Sequence, residues 1–403
     1  MVRVVYTFLA VLVFAGNSFA GPEGKGDGKN PVGYVFEDEI KLPATSVKDQ
    51  YRTGTCWSFS ALSFFESEMI RQGKPEVDLS EMFIVRTTYS EKAKRYVRMH
   101  GENTFSAGGA FHDAKNMILQ YGIVPESVYD GLKYGETKHV HGELDNILKQ
   151  QVDAVVENKN KKLSTVWNQP VEATLDTYLG EIPKEFEYQG KKYTPQSFAT
   201  DFVGLNMDDY VEISSYTHHP FYSKFIIEIP DNWSWDEVYN VPLNELDEII
   251  DNAINSGYPV AWAADVSEKG FATSKKGVAV IPVVDKANMT DAEITKWEKL
   301  SEKERDEELY KLSKPGPEKN ISQELRQVDF DNYQTTDDHG MVIVGTAKDQ
   351  TGKLYYKVKN SWGNYNDYNG FFYASKPYVE YKTMSIMVHK DAIPKNIRKK
   401  LNL

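Results

Sequence analysis

The chain contains a single cysteine, and its position makes it the first candidate for chemistry. Cys56 begins a segment, 56–72, whose apolar residues recur at helical spacing, and Thr55 before it is a suitable N-cap residue. A thiol at a helix N-terminus lies at the positive end of the helix dipole, which favours the nucleophilic thiolate. The other reading of a lone cysteine is a small buried hydrophobe. A nucleophile requires a base and an oxyanion donor nearby.

His339 is the histidine best placed to act as the base. It lies in Asp338-His339-Gly340, directly before the most apolar predicted strand, 341–345, so rigid structure would hold the imidazole. No H-E-x-x-H motif or Cys/His ligand spacing is present, and we predict no metal ligands. Four other histidines lie in polar or charged segments and are expected to face solvent: His139, His141, His218 and His219.

Two amide side chains could complete this site. Asn360 follows the predicted strand 355–359, and its side-chain oxygen can accept a hydrogen bond from one imidazole nitrogen. The other nitrogen would then face the thiolate, and Trp362 could shield the bond from water. Gln50 lies in the turn before Cys56, where its NH2 group and the backbone N–H of Cys56 would form a two-donor oxyanion hole.

Taken together, these motifs resemble those of the papain-like cysteine peptidases. The matching blocks, in order, are Gln50-x5-Cys56-Trp57, Gly108-Gly109, Asp338-His339-Gly340 and Asn360-Ser361-Trp362-Gly363. The resemblance implies that Cys56 is the nucleophile, His339 the general base and then acid, Asn360 its orienting residue and Gln50 the oxyanion donor. It also implies a set of substrate-binding residues: Gly108, Gly109, Trp57 and Trp362.

Departures from the papain pattern indicate the bleomycin hydrolase and aminopeptidase C branch of that family. Thr53 and Thr55 replace the expected Cys and Ser or Ala, and His339 follows Cys56 at about twice the usual ~130–150 residues. The similarity covers most of 36–395. Members of this branch are typically cytoplasmic hexamers whose C-terminal tail restricts cleavage to peptide ends. This chain is expected to lack most of that tail. A homo-oligomer and aminopeptidase activity are therefore expected from the family resemblance alone.

The predicted helices and strands that must position these residues indicate an α+β fold of two lobes with long insertions. We expect one papain-like peptidase domain over 36–395, with a helical lobe at about 36–250 and an antiparallel β-barrel-like lobe at about 255–395. A highly charged helical segment at about 290–315 is predicted to be a solvated insertion. Residues 396–403 form a C-terminal tail.

The N-terminus has the pattern of a secretory signal peptide. Arg3 precedes a short apolar stretch, and a small-x-small pattern ends at Ala20, so we predict a signal peptide at 1–20 and a flexible leader at 21–35. The protein is therefore expected to be exported, to the periplasm or the exterior, with no membrane span in the mature form. A net charge of −12 argues against a nucleic-acid partner.

The sequence thus predicts a cysteine peptidase that cleaves peptide or protein substrates through a thioester intermediate and requires no cofactor. A bleomycin hydrolase-like aminopeptidase is the first expectation. The alternatives are an endopeptidase of the same fold, an acyltransferase that passes the thioester to an amine, and a catalytically inactive binding protein. The inactive alternative is disfavoured because Cys56, His339, Asn360 and Gln50 are all present.

Overall fold

The structure is a computed structural model that describes residues 33–403. The predicted signal peptide and nearly all of the predicted leader lie outside the described residues. The helices are α1 (Cys56–Arg71), α2 (Glu81–Arg98), α3 (Phe111–Tyr121), α4 (Gly142–Val156), α5 (Gln169–Leu179), α6 (Pro195–Ser197), α7 (Leu243–Asn255), α8 (Asp291–Lys299), α9 (Glu302–Leu309), α10 (Gln323–Asp331), α11 (Lys376–Lys382) and α12 (Lys395–Lys400). The strands are β1 (Phe36–Lys41), β2 (Phe186–Tyr188), β3 (Lys191–Tyr193), β4 (Tyr210–Ser214), β5 (Lys224–Ile226), β6 (Glu237–Asn240), β7 (Val260–Ala264), β8 (Phe271–Ala272), β9 (Val278–Ala279), β10 (His339–Asp349), β11 (Leu354–Lys359), β12 (Phe371–Ser375) and β13 (Thr383–His389).

One large sheet organises the fold. Its strand order is β5-β6-β4-β13-β7-β10-β11-β12-β9-β8, and β1 adds to the second half of β10. The pairs β4–β6 and β9–β12 are parallel, and the other pairs are antiparallel. The long strand β10 lies within the sheet, and His339 at its first residue is paired with Ala264 of β7.

The two faces of this sheet bury two hydrophobic cores. Along β10, Val342 and Val344 pack with the helices α1 to α5, whereas Met341 and Ile343 pack on the opposite side with α7 and the C-terminal helices. Alternate side chains of a strand point to opposite faces, so an almost wholly apolar strand indicates burial on both sides. The fold therefore has three layers, with the sheet in the middle.

The α+β prediction is confirmed, but two of its details differ from the structure. Among the described residues the sheet is open, because its two end strands, β5 and β8, do not pair with each other. The predicted barrel is therefore not confirmed. The predicted helical lobe also contains sheet strands, since β1, β4, β5 and β6 all belong to the large sheet. Short strands separated by long insertions carry no local signal of the sheet that they join.

The charged insertion forms two short helices on the surface. No residue of α8 or α9 is buried, and each helix starts with a reciprocal capping box, from Thr290 and Ser301 respectively. Strong caps and charged side chains stabilise such helices without a packed face. Within residues 33–403, no helix combines the length and apolar character needed to cross a membrane.

Candidate active site

Cys56 is the first residue of α1, and α1 packs directly against the start of β10. Thr55 occupies the N-cap position, but its hydroxyl contacts that of Thr53 at 2.5 Å rather than capping the helix. The hydroxyl of Ser60 donates to the carbonyl oxygen of Cys56 at 2.7 Å. A Cβ on Gly340 would lie 2.5 Å from that hydroxyl oxygen, so only glycine lets β10 approach the helix this closely.

His339 is buried and oriented by Asn360. Its Nε2 atom lies 2.7 Å from Oδ1 of Asn360, and that oxygen also accepts from the backbone N–H of Ser361 at 2.8 Å. The Asn360 amide donates to the Tyr365 hydroxyl at 3.0 Å, which fixes which end of the amide faces the imidazole. The Trp362 indole stacks on the imidazole, with ring centroids 4.7 Å apart. These contacts leave Nδ1 of His339 as the free nitrogen.

A buried ion pair anchors the loop that leads into His339. The ammonium of Lys382 donates to the carbonyl of Gln334 at 2.7 Å and lies 3.3 Å from the Asp265 carboxylate. The same carboxylate accepts from the backbone N–H of Thr336 at 3.2 Å. Because Lys382 and Asp265 are fully buried, this loop has little freedom to displace the imidazole.

Gln50 lies beside the Asn360 segment, with its amide hydrogen-bonded at both ends. Its oxygen accepts from the Ser361 hydroxyl at 2.6 Å, and its nitrogen donates to the carbonyl of Thr53 at 2.9 Å. One amide hydrogen is used by Thr53, so one is left to donate to an oxyanion. The predicted role of Gln50 stays a prediction that depends on this second hydrogen.

Gly108 and Gly109 cross the cleft beside the nucleophile. A Cβ on Gly109 would lie 2.9 Å from the Trp57 ring, and the Trp57 indole donates to the carbonyl of Ala107 at 3.0 Å. The ammonium of Lys92 donates to the carbonyl oxygens of Ser106 and Gly108. Lys92 and Trp57 therefore hold the glycine backbone in place.

The predicted nucleophile and base line the same narrow cavity. Its walls are Cys56, Trp57, Gly109, Ala110, Phe111, Glu212, Ile227, Ile229, Asp231, Ala263, Asp337, Asp338, His339, Gly340 and Ser385. The free volume is about 20 Å³, which is room for one water molecule. Among residues 33–403, no hydrogen bond joins Cys56 to His339.

The closed cavity favours the neutral forms of both groups. Burial is the main reason that the pKa of Cys56 is raised to about 12, and the carboxylates of Asp337 and Asp231 add to the effect against the N–H groups of Gly340 and Trp57. Burial likewise lowers the pKa of His339 to about 4, despite the bond to Asn360. Burial therefore opposes the stabilisation of the thiolate by the helix dipole that was expected from the sequence.

Three carboxylates in the cavity were missed by the sequence analysis. Glu212 is buried beside His112 at 2.8 Å and accepts from the Ser385 hydroxyl at 2.5 Å. Asp231 and Asp337 line the cavity as well, and burial raises the pKa of both. Asp337 adjoins the Asp338-His339 motif and could have been noticed there. Glu212 and Asp231 carry no local sequence signal.

The prediction that His139 and His141 face solvent is wrong. Both are buried, because the backbone N–H of His141 pairs with the carbonyl of Arg52 and draws this segment against α1. Burial lowers the pKa of His141 to about 4, and His139 beside it adds to the shift.

The other predicted surface pair does lie near solvent. His218 and His219 both contact the exposed carboxylate of Glu228, at 3.0 and 2.9 Å. Nδ1 of His218 lies 3.0 Å from the amide nitrogen of Gln327, whose oxygen accepts from the backbone N–H of Thr217. His218 therefore carries its proton on Nε2, where it donates to Glu228 instead of offering a lone pair.

Comparisons with known proteins agree with this fold and identify the family. The family model described as "Peptidase C1-like family" matches residues 27–311 and 318–403. Aminopeptidase C of Streptococcus thermophilus is 24% identical over 405 residues, covering 89% of this chain and 83% of that protein. Aminopeptidase G of Lactobacillus delbrueckii subsp. lactis is 23% identical, covering 90% and 84%. The crystal structure of PepW from Lactobacillus rhamnosis HN001 has a TM-score of 0.68 at 19% identity, covering 91% of this chain and 84% of that one.

Proposed function

The chain belongs to the peptidase C1-like family and is a cysteine peptidase, and from this premise we propose that it is an aminopeptidase acting through Cys56. The family prediction made from the sequence, a papain-like cysteine peptidase of the bleomycin hydrolase and aminopeptidase C branch, is confirmed. The aminopeptidase activity and the roles of individual residues are the proposal. It draws on the relatives named Aminopeptidase C and Aminopeptidase G and on the geometry of the cavity.

The observation that carries the proposal is the set of contacts around His339. Its Nε2 atom is held by Asn360 at 2.7 Å beneath the stacked Trp362, while the only cysteine of the chain lines the same cavity. A base held through one nitrogen, with the other free beside a thiol, has the arrangement required to activate a nucleophile.

The proposed reaction begins when the thiol proton of Cys56 passes to Nδ1 of His339. The thiolate attacks the scissile carbonyl carbon, and the oxyanion accepts hydrogen bonds from the backbone N–H of Cys56 and the amide of Gln50. His339 then gives its proton to the departing amine as the C–N bond breaks. The products of this step are the free amine and a thioester on Cys56.

Water completes the reaction. His339 takes a proton from a water molecule as its oxygen attacks the thioester carbon, and the C–S bond then breaks to release the acid. The thiolate of Cys56 recovers its proton from His339. These two steps use only groups of the protein and water, and each starts from neutral Cys56 or its thioester together with neutral His339.

A test for this function uses a peptide of known sequence and mass spectrometry of its products. An aminopeptidase removes residues successively from the N-terminus, and Cys56→Ala should abolish the product ladder. Internal fragments that depend on Cys56 would instead establish the endopeptidase alternative. Transfer of the acyl group to an added amine, with little hydrolysis, would establish the acyltransferase.

We also propose that the protein is exported with removal of residues 1–20. The family match begins at residue 27, after the predicted cleavage site. N-terminal sequencing of the protein recovered from its producing cells should begin near Gly21; an intact Met1 would contradict export.

A homo-oligomer is proposed from the family resemblance alone, and light scattering of the purified protein tests it.

A further inference from the structure

Residues 227–236, which we call the strap, connect the two sides of the active-site cleft. The strap leaves the sheet at β5 and returns to it at β6. Between them, the carbonyl of Trp233 accepts from the Asn103 amide at 3.1 Å, and Asp236 accepts from the Asn116 amide on α3 at 2.6 Å. The strap therefore begins in the sheet and is hydrogen-bonded to the helical side.

The strap has a defined internal structure. Asn232 is buried, and its amide donates to the carbonyls of Ile227 and Asp236, while its oxygen accepts from the backbone N–H of Asp236. Ile227 and Trp233 are buried apolar anchors. On the outer side, Glu228 contacts two surface histidines. A loop fixed in this way closes its end of the cleft.

Asp231 is the polar group that the strap places over the cleft floor. A methyl group on Gly108 would collide with the Asp231 carboxylate, so this side chain rests on the glycine backbone. Among residues 33–403, the carboxylate makes no hydrogen bond and no ion pair. The charge of Lys92 partly offsets the effect of burial on the pKa of Asp231, but its ammonium donates to the carbonyls of Ser106 and Gly108. The buried indole N–H of Trp233 also has no acceptor among these residues.

Leaving a carboxylate without a partner beside the nucleophile is costly in two ways. Partial burial disfavours its charge, and that charge opposes formation of the Cys56 thiolate. Asp337, which lines the same cavity, also lacks a hydrogen bond or ion pair among residues 33–403 and likewise raises the pKa of Cys56. A bound cation would relieve both costs. A peptide offers such a group at its N-terminus, whereas its C-terminal carboxylate would be repelled from this end.

We propose that the strap is the end wall of the substrate cleft and that Asp231 binds the α-ammonium group of the peptide. This inference rests on the proposed peptidase function and deepens it by assigning the feature that confines cleavage to N-terminal residues. The ammonium also neutralises the carboxylates that face the thiol, so a substrate with a free N-terminus promotes ionisation of Cys56. A blocked N-terminus cannot do so.

The test compares fluorogenic peptide amides with free and acetylated N-termini. The probes are Ala-aminomethylcoumarin, its N-acetyl derivative, and N-acetyl-Lys-aminomethylcoumarin, assayed with wild type, Asp231→Asn, Asp231→Glu and Glu228→Gln. Wild type should prefer the free amine. Asp231→Asn should lower kcat/KM for the free amine by about 10- to 100-fold, the value of one hydrogen bond between charged groups. It should not slow either blocked substrate, because it also removes a charge that opposes the Cys56 thiolate. Asp231→Glu should retain the preference.

Glu228→Gln is the matched control, because it removes one charge from the outer side of the strap and should keep the wild-type ratio. Equal rates of wild type on free and blocked substrates would overturn the end-wall proposal while leaving the peptidase function intact. A loss confined to the blocked lysine substrate would show that Asp231 binds a side-chain ammonium instead. Loss of preference in both Asp231 variants would assign the residue a structural role. Absence of any Cys56-dependent hydrolysis would refute the proposed function itself.

Discussion

Replacing Asn360 with alanine tests whether the orientation of His339 is what makes Cys56 reactive. The substitution removes the acceptor at 2.7 Å from Nε2 of the imidazole and leaves that N–H buried beneath Trp362. Tyr365 does not replace this acceptor, because it contacts the opposite end of the Asn360 amide.

The expected magnitude follows from how the bond changes during catalysis. With a neutral imidazole it contributes about 0.5–1.5 kcal/mol, and with an imidazolium about 1.5–3 kcal/mol. Only the difference, about 1–1.5 kcal/mol, stabilises the charged intermediate selectively, which corresponds to about 5- to 15-fold in kcat. Rotation of the freed ring away from Cys56 adds to this loss. We therefore expect Asn360→Ala to lower kcat/KM by about 10- to 100-fold.

The single cysteine permits a second readout, because alkylation by iodoacetamide reports on Cys56 without background from other thiols. Asn360→Ala should slow alkylation at neutral pH together with hydrolysis. Tyr365→Phe is the control, because it removes the outer contact of the same amide without removing the acceptor for His339, and it should change either rate by less than about threefold. If Asn360→Ala retains wild-type hydrolysis and alkylation within twofold in a folded protein, the orienting role of Asn360 is refuted.

Three further predictions concern the elements that hold the site. Gly345→Ala should lower the unfolding free energy by about 1–3 kcal/mol in urea titrations, because a Cβ there would collide with the carbonyl of Ile40 on the paired strand; an unchanged midpoint would contradict this. Arg326→Met should cost at least about 3 kcal/mol in the same assay, because the buried guanidinium donates to four backbone carbonyls that would lose a donor; wild-type stability would refute it. Burial alone would lower the pKa of His112, but Glu212 outweighs it and raises the pKa to about 9. The stabilisation from that pair is complete below about pH 6.5 and is lost as the pH rises through 9, so His112→Gln should flatten the decline in unfolding free energy across this range; an unchanged slope would contradict the assignment.

The residues of the nucleophile, base and orienting amide could be placed from the sequence because each lies at the end of an element with a clear local pattern. Cys56 opens a periodic helix, His339 opens a long apolar strand, and Asn360 closes the next one. Secondary structure then places His339 and Asn360 at the same end of the neighbouring strands β10 and β11, with Cys56 on the helix packed against β10. The local patterns do not show which of these elements pack together. That arrangement was inferred from the family resemblance.

The strap and the cavity carboxylates could not be predicted in the same way. Glu212, Asp231 and Asp337 come from separate parts of the chain and meet because β4, β5 and β10 belong to one sheet. None of them lies in a motif whose spacing indicates a site. The open sheet was missed for a related reason, since pairing between distant strands depends on tertiary packing rather than on local propensity.

Labelling with an epoxide inhibitor that reacts only with an activated thiolate tests the central claim most directly. Intact-mass spectrometry would compare wild type, Cys56→Ala and His339→Ala under mild reducing conditions. We predict one adduct on wild type and none on either variant, because the thiol of Cys56 ionises only by passing its proton to His339. A folded wild-type protein without an adduct, or His339→Ala labelled at the wild-type rate, would contradict the Cys56–His339 pair.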